Sequence, residues 1–136
     1  MSSPLPKKLG MKPGKRALIL SAPAGYLASL KPLPHNFTIA TKGAGVYDLV
    51  QVFATEVSQV RKFARSLPKI AAPNALVWIS YPKQTSKLET DLNRNIVWTE
   101  MNRFGWRGVS IIAVDETWSA LRVRPANLVR SKSRRR

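Results

Sequence analysis

Apolar residues in this chain come in short unbroken runs, separated by stretches whose apolar positions recur at helical spacing. Ala17-Leu18-Ile19-Leu20-Ser21-Ala22 is the first run and predicts a strand buried on both faces. Pro23 and Gly25 close it, and Tyr26-Leu27-Ala28-Ser29-Leu30 predicts a short helix that the prolines at 32 and 34 end. Phe37-Thr38-Ile39-Ala40-Thr41 is rich in β-branched residues and predicts a second strand, followed by a plain turn at Gly43 and Gly45. Leu49-Val50-Gln51-Val52-Phe53-Ala54 predicts a third. From Glu56 the period changes: Val57, Val60, Ala64 and Leu67 share one helical face, with Arg61, Lys62, Arg65 and Lys69 largely outside it.

Pro73-Asn74 predicts a turn, and Leu76-Val77-Trp78-Ile79-Ser80-Tyr81 a fourth buried strand. Ser86-Lys87-Leu88-Glu89 fits a capping box, so a helix is expected from there, buried along Leu92, Ile96, Val97, Met101 and Phe104 and ended by Gly105. Asp91 then falls in its first turn, where it pairs with Arg94 or offsets the helix dipole. Residues 109–114 and 120–123 predict two more strands around the turn Asp115-Glu116-Thr117-Trp118. Alternating strands and helices imply an α/β, Rossmann-like fold: a mostly parallel six-stranded sheet with helices on both faces. The expected strand order is 2-1-3-4-6-5. The last turn is too short for a crossover, so the last strand is antiparallel.

The length of 136 residues suits one domain, placed at 15–125 between a basic leader (1–14) and a basic tail (126–136) that composition makes flexible. The net charge is +16, of which the acid-free segment 1–16 carries +5 and the acid-free segment 122–136 carries +7. Lys7, Lys8, Arg130, Lys132, Arg134, Arg135 and Arg136 are therefore candidates for binding nucleic acid or another polyanion, against the alternative of a solvated tail that aids solubility. No aromatic-rich RNA-binding motif or helix-turn-helix signature points to base reading. With no cysteine and one histidine, His35 in a proline-flanked loop, thiolate and multi-histidine metal sites are excluded. No run is long enough to span a membrane, and residues 1–16 lack a signal's apolar region, so a cytoplasmic location is expected.

Several stretches carry a resemblance: Leu9-Gly10-Met11-Lys12-Pro13-Gly14, Ala22-Pro23-Ala24-Gly25-Tyr26, residues 75–83, Thr90-Asp91-Leu92-Asn93-Arg94, and Asp115-Glu116-Thr117-Trp118-Ser119-Ala120-Leu121-Arg122. They are similar to an uncharacterised bacterial family, domain of unknown function number three-zero-five-two. The resemblance spans about residues 9–124 and implies a Rossmann-like fold, with no activity, cofactor or catalytic residue attached. The antiparallel ending also resembles the C-terminal half of class I methyltransferases. That class usually holds S-adenosylmethionine with an acidic residue and a glycine-rich loop at the first strand. Here Ser21-Ala22-Pro23-Ala24-Gly25 has one glycine and no acid, which speaks against that cofactor and leaves any other open.

The topology gathers a candidate ligand rim at the carboxyl ends of the strands: Ser21, Gly25, Glu56, Lys83, Lys87, Asp115 and Glu116, with Tyr81 and Trp118 as flat surfaces. Lys83 or Lys87 beside a helix N-terminus would favour an anion. Equally, Lys83 could pair with Asp115 or Glu116 and fasten the hairpin. No phosphate-cradling motif occurs. Three readings compete: a non-catalytic module whose basic ends engage polyanions, which the charge favours; a degenerate methyltransferase-like enzyme or small-anion or nucleotide binder using the rim; and self-association through an exposed sheet edge.

Overall fold

Six apolar runs become six strands of one sheet. A computed structural model describes residues 4–42 and 45–128, so Gly43 of the expected glycine turn lies outside the described residues. Along the chain come α1 (Leu5–Leu9), β1 (Arg16–Leu20), α2 (Tyr26–Ser29), β2 (Thr38–Ala40), β3 (Tyr47–Phe53), α3 (Val57–Ile70), β4 (Ala71–Pro82), α4 (Arg94–Arg103), β5 (Trp106–Ala113) and β6 (Trp118–Pro125), then a 3-10 turn at Ala126–Leu128. The strand order is β2-β1-β3-β4-β6-β5, as expected. β2, β1, β3 and β4 pair in parallel, while β6 is antiparallel to both β4 and β5.

Both faces of the central strands β1, β3 and β4 are covered, which is why these read as unbroken apolar runs, while β5 at the edge stays largely exposed. Under α3 and α4 lie Leu18, Val50, Val52, Val77, Ile79, Leu121 and Val123 with Val60, Leu67, Val97 and Met101. Under α1 and α2 lie Ala17, Ile19, Leu49, Phe53, Trp78, Trp118 and Ala120 with Leu9, Met11 and Tyr26. Successive residues of β4 serve the two layers in turn.

The segment expected as a basic leader is thus not all outside the core. Leu9 is 0% exposed, and its carbonyl accepts the indole Nε1–H of Trp78 at 3.0 Å. Lys8, expected to be free for polyanions, donates its Nζ to the Ala113 carbonyl at 2.8 Å. The lysines masked a short amphipathic turn in which Pro6 and Leu9 face inward. Gly10 ends that turn at φ +89°, and a Cβ there would collide with Leu76.

The turn expected at Pro73-Asn74 is instead a bulge inside β4. Asn74 adopts φ 64°, and the register slips so that Tyr47 faces Ala71 while Leu49 faces Leu76.

α3 and α4 are clasped by a two-pronged contact: Arg61 Nε and Nη2 donate to Glu100 Oε1 and Oε2 at 2.8 and 3.2 Å. These hydrogen bonds hold the Glu100 carboxyl below its usual range, against burial acting the other way. A depressed carboxyl stabilises the fold above its unfolded pKa, and that contribution is lost as pH falls through the lower folded value. Glu100→Gln is therefore expected to unfold at lower urea than the native chain at pH 7. The gap should close as the pH drops below about 4, the usual carboxyl range. Urea titrations across pH 3–7 (about the interval where carboxyls titrate) check it.

Candidate functional site

The parallel strands β1, β2, β3 and β4 all end at one edge, and the β5–β6 turn joins them there because Pro82 lies opposite Trp118. Such an edge is where open α/β sheets take their ligands. What shapes it here is the path of the chain after β4.

The capping box expected at Ser86 does not form. The Ser86 amide closes a turn on the Lys83 carbonyl at 3.0 Å, and its hydroxyl is buried without a partner. α4 starts at Arg94 instead, capped by Asn93, whose Oδ1 accepts from the Ile96 amide at 2.9 Å. Two causes move the start. Leu88 is 45% exposed, so a first turn at residues 86–89 would bury nothing; Leu92 is the first residue to reach the core, and with Val97 it holds the two positions of a hydrophobic staple. Meanwhile Thr90 and Asp91 offer the backbone local alternatives to a helix. Thr90 Oγ1 donates to the Thr55 carbonyl at 2.6 Å and accepts from the Leu92 amide at 3.0 Å. Asp91 Oδ1 accepts from the amide of Val57 at 3.0 Å. Asp91 therefore satisfies the first turn of α3 and lies outside α4, not in that helix's first turn beside Arg94. Glu56 and Gln59 complete the cap of α3 with a reciprocal box of their own.

Held at its far end against α3, the segment 83–93 leaves two adjoining clefts at the sheet edge. The larger, about 830 Å³, lies between Thr55, Glu56 and the loop residues Lys83, Ser86, Glu89 and Asp91. The second, about 400 Å³, is bounded by Tyr81, Lys83, Thr85, Arg94, Asn95 and Ser119. The charged groups lining the second are Lys83 and Arg94, with no carboxylate among them. Tyr81 is 6% exposed and belongs to the core; burial raises its phenol pKa and the charge of Arg94 pulls it back.

A third cleft, about 350 Å³, opens at the end of β1 among Ser21, Ala22, Pro23, Gly25 and Thr41, and no charged side chain lines it. Ser21 and Gly25 both adopt left-handed backbone, φ 60° and 83°. Behind it runs a buried polar chain. Tyr26 Oη donates to Gln51 Oε1 and Gln51 Nε2 donates to Ser80 Oγ, each at 2.9 Å. Burial pushes the Tyr26 phenol up to about 12.

The rim residues expected from the sequence therefore part company. Ser21 and Gly25 line the β1 cleft, Lys83 lines both β4 clefts and Tyr81 one of them. Trp118, expected as a flat ligand surface, is buried edge-on against Phe53 with ring centroids 5.0 Å apart. The Asp115 carboxylate closes its own turn, accepting from the amides of Thr117 and Trp118 at 2.8 and 2.9 Å. Lys83 fastens the hairpin through its backbone amide to the Thr117 carbonyl at 2.7 Å, in place of the ion pair to Asp115 or Glu116. Lys87 and Glu116 are exposed and line none of these clefts. Lys7 is exposed on α1, and Arg130, Lys132, Arg134, Arg135 and Arg136 lie outside the described residues. Arg94 and Glu89 are not among the expected rim residues, because a helix drawn from Ser86 gives Glu89 to a capping box and Arg94 to a pair with Asp91. For the Tyr26–Gln51–Ser80 chain a signal existed: one polar residue in the middle of each of two apolar runs. Among the described residues no three histidines or acids come together to hold a metal, and no helix is long and apolar enough to cross a membrane.

No protein-family model matches the chain, nor does any curated protein. Solved structures do. A SAM dependent methyltransferase from Aquifex aeolicus aligns at 14% identity over 86% of this chain and 85% of its own, with a TM-score of 0.64. A SAM-dependent methyltransferase from Bacteroides fragilis in complex with S-adenosyl-L-homocysteine aligns at 10% identity over 93% and 78%, TM-score 0.59. Aeropyrum pernix fibrillarin with natively bound S-adenosyl-L-methionine aligns at 10% identity over 91% and 70%, TM-score 0.58. At such identities the likeness is one of architecture, and the chain has the Rossmann-like fold of these methyltransferases.

Proposed function

We propose that this chain binds a small phosphorylated ligand of the nucleotide class in the clefts beside β4. The observation that carries the reading is the pairing of Lys83 with Arg94 around a 400 Å³ cleft that has no carboxylate in its lining and the N-terminus of α4 at its wall. A guanidinium fork, an ammonium and the positive end of a ten-residue helix all favour one phosphate group. The adjoining cleft offers Glu56 and Glu89 to the hydroxyl or amino groups of the rest of the ligand. The methyltransferase-like fold favours a small-molecule site on this rim over an accessory module defined by its basic ends alone. The bacterial family suggested by the sequence is compatible with the same reading, since it brings no activity of its own.

The β1 cleft does not suit S-adenosylmethionine. Its ammonium and sulfonium groups want carboxylates, and no charged side chain lines the β1 cleft. Pro23 removes a backbone donor from the loop, and Gly25 serves the turn itself at φ +83°.

Calorimetric titration of the full chain with AMP, ADP, inorganic phosphate and S-adenosylmethionine tests the proposal. Nucleotide binding is expected, weakened about 10- to 100-fold by Lys83→Ala or Arg94→Ala, the range of a lost charge-assisted hydrogen bond. Absence of nucleotide and phosphate binding, or binding indifferent to both substitutions, overturns it. Tight S-adenosylmethionine binding would bring back the transferase reading.

A further inference from the structure

Away from the rim, β5 and β6 carry a cluster of cations that the rim does not use. On β6, Arg122 and Arg124 alternate with Leu121 and Val123, which are buried under α3 and α4. The arginines therefore stand on the opposite face, the face of Trp78 and Ala120. Arg124 lies directly opposite Arg107 on β5, and Arg122 lies opposite Ser110 on β5 and Trp78 on β4. Residues opposed in a ladder point to the same side, so Arg107, Arg122 and Arg124 form one group on the outer hairpin.

This arrangement is unfavourable in the chain alone. Like charges opposite each other in a sheet repel. The Nε of Arg122 is buried and has no hydrogen-bond partner, and a buried charged donor without an acceptor is strongly penalised. Burial, with Arg124 adding its charge, weakens the hold of Arg122 on its proton. One kind of partner offsets the crowded charge: an anion with several acceptor oxygens, which guanidinium groups grip in two-pronged fashion. The cations repeat along the strand, two residues or roughly 7 Å apart. In sequence they continue into Arg130, Lys132, Arg134, Arg135 and Arg136. A repeating row of positive groups matches a polymer of phosphates better than a single ion. We propose that the outer face of the β5–β6 hairpin is a nucleic-acid-binding surface, with Arg107, Arg122 and Arg124 gripping the phosphodiester backbone without reading bases. The inference does not depend on the rim ligand.

Fluorescence anisotropy of the full chain with a labelled single-stranded RNA and a labelled DNA duplex, at low and moderate salt, tests it. The variant Arg107→Ala/Arg122→Met/Arg124→Ala is expected to bind at least about tenfold more weakly and to flatten the log–log salt slope by about 2–3, one for each phosphate no longer neutralised. Lys83→Ala should leave this binding unchanged. Arg122→Met alone should bind more weakly yet melt at a higher temperature, a combination that a purely structural arginine would reverse. Should the triple variant not fold, Arg107→Glu alters only an exposed side chain and should still weaken binding severalfold. Unchanged affinity and slope in these variants overturn the proposal. So does displacement of the RNA by millimolar inorganic phosphate, the mark of a single-ion site, or retention by anionic phospholipid vesicles with no nucleic-acid binding.

Discussion

Replacing Leu9 by alanine is expected to remove about 2–5 kcal/mol of stability, the usual range for emptying a closed core position. The side chain is 0% exposed and sits in the layer that holds Trp78, Ile19 and Phe37. α1 is only five residues long, so it has little helical stability of its own and holds its shape by this packing. The Trp78 indole adds to the effect: its hydrogen bond ends on the Leu9 carbonyl, which shifts if the turn loosens. A domain of this size holds only about 5–15 kcal/mol in total, so the variant should show a clear drop in its urea midpoint. Lys7→Ala, an exposed neighbour, should change stability by less than about 0.5 kcal/mol. Equal, small effects from both would mean that the segment merely lies on the surface.

The second large effect is expected at Gln51. It is fully buried between Tyr26 and Ser80 and serves as acceptor to one and donor to the other. Gln51→Leu keeps most of the volume but strands the Tyr26 hydroxyl and the Ser80 hydroxyl, at about 1–3 kcal/mol for each buried polar group left unpaired. The triple variant Tyr26→Phe/Gln51→Leu/Ser80→Ala removes every polar end at once and should recover most of that loss. A triple variant worse than Gln51→Leu would show that size and shape, not hydrogen bonding, decide this spot. The network has an alkaline limit. With a folded pKa raised to about 12 from 10.0, the Tyr26 phenol favours the fold fully below pH 10 and loses that contribution as pH rises through 12. Urea midpoints of the native chain and Tyr26→Phe should therefore draw together on the alkaline side.

Strand content and strand order were legible because a strand covered on both faces needs an apolar side chain at almost every position. A helix covered on one face cannot mimic that pattern. β1, β3 and β4 announce themselves this way, and the short turn before Trp118 was enough to reverse β6. The start of α4 was not legible. Ser86, Thr90 and Asn93 are all good capping residues, and the choice among them is made by tertiary packing: by which leucine reaches the core, and by Asp91 finding Val57 34 residues earlier in the chain. Trp118 misled for a related reason. An aromatic residue at a strand end looks like a ligand platform until the neighbouring layer is placed over it. α1 was hidden by its charge, since lysines on one side of a single turn say nothing about what the other side touches. The arginine group on the outer hairpin needs register to be seen at all, because Arg107 and Arg124 are far apart in sequence and adjacent only across the ladder.

The contacts of α1 also bear on how the chain comes into being. Lys8 is bonded to the carbonyl of Ala113, 105 residues on, and Leu9 to Trp78, 69 residues on. α1 therefore docks only on segments synthesised 69 and 105 residues after it. Until those segments are in place, the layer of Ile19 and Trp78 lacks its Leu9 cover, and Lys7 and Lys8 favour water around the undocked α1.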